Sequence, residues 1–176
     1  MMVRKQVLIL LLFVLFLLEG TIIPWLLPSS WQNVISPNLV FIVLLFVSVY
    51  HHRHTALVLG IIFGMLHDIV FYGDMIGTYS FVMGVSAYLM GFIFRMPRAQ
   101  MPVMMTVIIL GSLLFDSLLY GIYRVFSLTA VPYNWNLLHH ILPDLVVHFV
   151  FGLIIYVPLR KQLEKLGKRA KVEKAA

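Results

Sequence analysis

The chain contains no cysteine, which excludes disulfide staples, thiol nucleophiles and Cys-ligated zinc. Charge is also scarce: 11% of its 176 residues are Asp, Glu, Lys or Arg, against roughly 25% in soluble domains. So little polar surface will not cover a water-soluble globule. Disorder is excluded by the opposite excess, because 61% of the residues are hydrophobic and disordered chains are apolar-poor. Catalytic signatures are missing as well. There is no His-Glu-x-x-His, no Gly-x-Ser-x-Gly, no phosphate loop and no Ser/Lys pair at nucleophile spacing. No enzyme activity, cofactor or resident metal is expected.

What is present is apolar sequence, with a mean hydropathy of +0.97. A membrane span needs about 20 apolar residues to cross a ~30 Å hydrocarbon core. Pro, Gly and charge divide the chain into six such stretches, at about 7–23, 35–50, 55–72, 79–94, 103–123 and 138–159. The last begins near Leu137 or at Pro143. The first follows Arg4 and Lys5 but lacks a small-residue cleavage site, so it reads as an uncleaved span. The expected fold is an all-α integral membrane bundle over 1–159, followed by a basic tail over 160–176.

The cations set the orientation. With the amino terminus inside, inner segments hold Arg4, Lys5, Arg53, Arg95, Arg98 and seven tail cations from Arg160 to Lys174, while outer segments hold Arg124 alone. Twelve against one satisfies the positive-inside rule and places both termini in the cytoplasm. The tail is suited to anionic headgroups. Nucleic acid is the poorer reading of the formal +6 charge, because nothing aromatic or Gly-rich is interleaved with these residues. Loops are short, including the outer Pro24–Val34, and Tyr133 and Trp135 suit an interface.

Ionisable groups at membrane depth need a reason, since each costs on the order of 2.5–3.5 kcal/mol on insertion scales. Glu19, Asp68, Asp116 and Asp144 all fall in the outer half of their spans. Together they point to a polar cavity open to the outside or to a buried hydrogen-bond network. Asp144 follows Pro143 and also fits a first helical turn, where a negative charge favours the dipole. His148 is one turn after Asp144 and is placed to pair with it. Ser112, Asp116, Tyr120 and Arg124 recur at four-residue steps, which offers Asp116 a hydroxyl and a cation. His51, His52 and His54 read as a polar inner turn around Arg53 rather than a metal tract.

Small residues mark close packing. Gly60, Gly64 and Asp68 share one face of the third span, and Ser80, Gly84, Ala87 and Gly91 form a stripe on the fourth. With Gly77 in the intervening outer turn, these glycines are assigned to helix packing or to a partner helix.

Pro37-Asn38-Leu39, then Gly60-x-x-x-Gly64-x-x-His67-Asp68, Gly73, Gly77, Tyr88 and Gly91 resemble the rod shape-determining protein MreD family, over nearly the whole chain. His67 departs from the apolar residue expected before the Asp. The resemblance implies a non-catalytic subunit of the bacterial cell-elongation machinery in the plasma membrane. Its implied partner is an MreC-like single-span protein, and through it MreB and the peptidoglycan synthases. It also implies a six-helix arrangement similar to the substrate-binding subunits of energy-coupling-factor vitamin transporters. Two readings follow: a membrane scaffold, or a small-molecule-binding transporter subunit with Asp68 and Asp116 as recognition groups.

Overall fold

The structure, a computed structural model, describes residues 2–26, 37–71, 75–94 and 100–173, with side chains over 6–21, 37–71, 75–94 and 100–163. The expected outer segment over 27–34, Gly73, Arg95 and Arg98 lie outside the described residues, as do the side chains of Arg4, Lys5 and the tail from Lys165 onward. Every regular element among the described residues is helical. The order is α1 (Met2–Leu26), α2 (Leu39–Tyr50), α3 (Arg53–Val70), α4 (Thr78–Ile93), α5 (Met101–Val125) and a single-turn α6 (Tyr133–Asn136). A π-helical turn, Leu137–Ile141, joins α6 to α7 (Leu142–Glu173).

Three stretches, Arg53–Val70, Met101–Val125 and Tyr133–Leu163, are long and apolar enough to cross a membrane. The apolar segments Gln6–Thr21, Leu39–Tyr50 and Thr78–Ile93 are shorter. The second expected span, 35–50, contracts most, to the twelve residues of α2. At 1.5 Å per residue α2 is about 18 Å long, so it stops short of at least one face of a ~30 Å core. All twelve of its residues are buried. It packs against α1, α3, α4, α5 and α7 as the axis of the bundle. A helix that is apolar all round belongs in a protein core or in lipid; Leu39-Val-Phe-Ile-Val-Leu-Leu-Phe-Val carries no polar face to turn toward water, and here other helices cover every side of it.

Outer helices point large apolar side chains away from this axis. Leu138, Leu142, Val146, Val150 and Ile154 are exposed at four-residue steps, and Val7, Leu10, Val14 and Leu17 are exposed at three- and four-residue steps on α1. Such faces belong against lipid. Closest packing is between α3 and α4, where Gly60 and Gly64 meet Gly84 and Ser80 backbone to backbone.

The last helix begins earlier than either expected start, at Tyr133, and continues past Leu159 to Glu173. Pro143 does not open it. A proline ring must clear the carbonyl four residues back, and the widened turn Leu137–Ile141 lies there. Asp144 lies in the first turn of α7, as expected, but that turn continues the π-helical one before it, so the helical run starts earlier, at Tyr133.

Candidate functional site

A helix start leaves backbone N–H groups without intrahelical acceptors, and in hydrocarbon no water replaces them. At α4 the first residue before the helix is Gly77, which has no side chain to cap with and adopts φ +94°. That left-handed turn aims the α4 donors back at the end of α3. Asp68 Oδ2 accepts from the N–H groups of Gly77 (2.8 Å) and Ser80 (3.4 Å), and Oδ1 accepts from Tyr79 (3.3 Å). The residue is 1% exposed. Its charge sits where the helix dipole is positive.

Helix α2 begins the same way, with Asn38 making no side-chain cap. Glu19 of α1 accepts the Leu39 N–H at Oε2 (3.1 Å), and its Oε1 lies 3.4 Å from His67 Nε2. His148 of α7 accepts the Asn38 N–H at Nε2, 2.9 Å away. Acceptance there fixes a neutral imidazole carrying its proton on Nδ1. His67 also stacks on Tyr79, with centroids 4.2 Å apart. The departure at His67 thus has a partner in Glu19.

Asp116 and Asp144 are arranged differently. They line a cavity of about 180 Å³ whose wall also includes Asn38, Tyr79, Tyr120, Tyr123, Asn136 and His140. Asp116 Oδ2 is sealed from solvent and has no hydrogen-bond partner. The expected neighbours are engaged elsewhere or unbonded: Arg124 donates to the Thr129 carbonyl (3.2 Å), Tyr120 to the Val131 carbonyl (2.7 Å), and Ser112 Oγ makes no hydrogen bond. These contacts tie the segment after α5 over the cavity, as does Ser117 Oγ to Tyr133 hydroxyl at 2.9 Å.

The four acids therefore do not all line one cavity. Glu19 and Asp68 close helix ends, while Asp116 and Asp144 face the cavity. His148 bonds the Asn38 backbone and not Asp144. Gly60 and Gly64 lie inside the chain's own α3–α4 contact: an added Cβ would come 2.8 Å from Gly84 Cα and 2.5 Å from Ser80 Cα respectively. Gly84 faces Ile61 of α3, and Gly91 faces Ser48 of α2. Gly77 packs against nothing within 4 Å, and its positive φ is the reason for glycine. The inner turn shrinks to His51 and His52, because Arg53 and His54 already belong to α3; Arg53 lies over the rings of Tyr88 and Phe92. Among the described residues no group of three His, Asp or Glu side chains is placed to hold a metal ion.

Sequence reasoning missed Tyr79, Asn136 and His140 as cavity residues. Their signal was weak, because each stands among other polar residues, such as Thr78, Ser80, Asn134 and His139, that do not line the cavity.

Comparison with known proteins agrees with the sequence resemblance. The family profile described as rod shape-determining protein MreD matches residues 1–166. The rod shape-determining protein MreD of Bacillus subtilis (strain 168) is 25% identical over 142 residues, covering 81% of this chain and 82% of that protein. No solved structure matches the chain. A profile match of that extent, on a helical bundle with an apolar exterior, makes this chain a member of the MreD family of bacterial rod shape-determining membrane proteins.

Proposed function

We propose that the chain is a non-catalytic scaffold subunit of the bacterial cell-elongation complex. It holds an MreC-like single-span partner, and through that partner supports MreB and peptidoglycan synthesis. In this reading both termini lie in the cytoplasm and the basic tail rests on anionic lipid. A part in rod-shape determination follows from family membership; the scaffold role is our reading.

One observation carries it. Glu19, Asp68 and His148, the polar groups that most resemble chemistry, each accept backbone N–H groups of the chain itself. They are fixed inside the fold. The surface left for interaction is apolar and helical, which suits a partner's transmembrane helix. The cation count, twelve inner against one outer, supports the orientation.

The cavity favours the second reading, a transporter-type binding subunit. Its volume of about 180 Å³ is below the ~300–1,000 Å³ of pockets that hold drug-sized ligands, and Asp68 does not line it. The scaffold reading is therefore preferred.

The test is affinity capture of the tagged full-length chain from mildly solubilised membranes, combined with its depletion in cells. An MreC-like protein should co-purify, and depleted rods should round up. Capture of the folded chain without such a protein, or rods that keep their shape after depletion, removes the proposal. Gly60 and Gly64 variants do not serve here, because they break the bundle before they reach a partner.

A further inference from the structure

The connection between α5 and α7 is turned inside out for a loop. No Asp, Glu, Lys or Arg stands between Arg124 and Asp144, whereas loops in water are normally polar. Val125 is 80% and Phe126 57% exposed, with Leu128, Val131 and Trp135 exposed beside them. The main chain is the part turned inward. Ser127 adopts a left-handed φ of 58°, and the N–H groups of Ser127 and Leu128 donate to the carbonyls of Arg124 (3.2 Å) and Tyr123 (2.9 Å). That pattern closes the end of α5 on its own carbonyls. The carbonyls of Thr129 and Val131 accept from the Arg124 guanidinium and the Tyr120 hydroxyl. The N–H groups of Val131, Trp135 and Asn136 also find acceptors inside the segment. Apolar side chains outward and main-chain groups paired within are what a water-poor layer demands.

Depth identifies the layer. From Tyr133 onward the chain is one helical run, on which 25 residues separate Trp135 from Arg160, the first cation of the tail. At 1.5 Å per residue and a common tilt of about 20°, that is about 35 Å of depth. With Arg160 at one edge of a ~30 Å hydrocarbon core, Trp135 stands about 5 Å beyond the other edge, inside a bilayer of ~40–45 Å with its headgroups. The end of α5 rises with it, because Ser117 bonds Tyr133 at 2.9 Å. The lipid-facing stripe of α7, from Ile154 up to Leu138, continues through Trp135, and Trp and Tyr favour the headgroup level.

We propose that residues 125–138 form an interfacial anchor. Val125, Phe126, Leu128 and Val131 seat in the headgroup layer of the surrounding bilayer beside Trp135, and so set how deep α5 and α7 stand in the membrane. Lipid, and not a partner protein, covers this face, since the face continues the lipid stripe and falls at headgroup depth. The assignment is independent of which leaflet faces outward and of the scaffold role. This layer is hydrated, so a thiol at Ser127 still meets a water-borne reagent.

The experiment uses the purified full-length chain in nanodiscs that contain nitroxide-bearing lipids. With no native cysteine, a bimane fluorophore on Phe126→Cys, Leu128→Cys or Val150→Cys reports one site at a time, and all three side chains are exposed in the fold. Headgroup nitroxides should quench at 126 and 128 more than mid-chain nitroxides do. The order should reverse at 150, which lies about 15 Å along the helix from Arg160. A second reading leaves the segment unaltered. In a Trp25→Phe/Trp31→Phe protein Trp135 is the one remaining tryptophan, and lipids brominated near the ester end of the acyl chain should quench it more than lipids brominated at mid-chain. Sites 126 and 128 and Trp135 open to iodide but untouched by lipid quenchers overturn the proposal and leave the face to a protein partner. Stronger mid-chain than headgroup quenching at 126 and 128 overturns the assigned depth, and the proposal with it.

Discussion

Removing the Asp68 carboxylate strands three N–H groups at the start of α4, and a buried donor left without an acceptor costs about 1–3 kcal/mol. Asp68→Ala should therefore lower the unfolding temperature in detergent clearly, and Asp68→Asn less, because one acceptor oxygen survives. Equal losses in both would mean that the charge, and not the hydrogen bonds, is what counts. His148→Ala makes a similar case for α2. It strands the Asn38 N–H and should cost about 1–3 kcal/mol, with His148→Gln recovering part of that through its amide oxygen. A His148→Ala protein as stable as the parent would show that the bond at 2.9 Å contributes nothing. At this scale the sequence told which residues were out of place in hydrocarbon and left their partners open. The partners are main-chain N–H groups of Asn38, Leu39, Gly77, Tyr79 and Ser80. Every residue but proline carries that group, so no pattern of side chains marks it.

Between elements, the α3–α4 seam is set by the missing Cβ atoms at Gly60 and Gly64. Gly64→Ala places a carbon 2.5 Å from Ser80 Cα. The helices must part, at about 1–3 kcal/mol for overpacking, and Gly64→Leu should prevent folding. Gly121 offers the contrast. Nothing lies within 4 Å of an added Cβ there, so Gly121→Ala should be neutral or stabilise α5 by up to about 1 kcal/mol of helix propensity. Thermal unfolding of the two alanine variants side by side checks this, and a Gly64→Ala protein no worse than Gly121→Ala would refute the seam. The four-residue glycine spacing made this seam legible; which neighbour filled it was not. Likewise the apolar run at 35–50 promised a span, yet hydropathy does not distinguish lipid from protein as surroundings. Burial of every residue of α2 shows protein.

For the whole molecule, the lack of cysteine makes topology directly measurable. Single cysteines at exposed Ser127 and Gln162 should behave oppositely toward a membrane-impermeant maleimide in intact cells. Ser127→Cys is expected to react and Gln162→Cys to be protected until the membrane is opened; the reverse pattern would invert the proposed orientation. Composition and the distribution of Lys and Arg by themselves determined the bilayer, the helical class and the expected sidedness, because these depend on sums over many residues. Only the tertiary structure decided that α2 is a short buried axis, that Glu19, Asp68 and His148 serve as helix caps, and that Asp116 and Asp144 share a cavity. Those outcomes rest on which helix end lies beside which side chain, a relation between segments as far as 110 residues apart that local sequence does not encode.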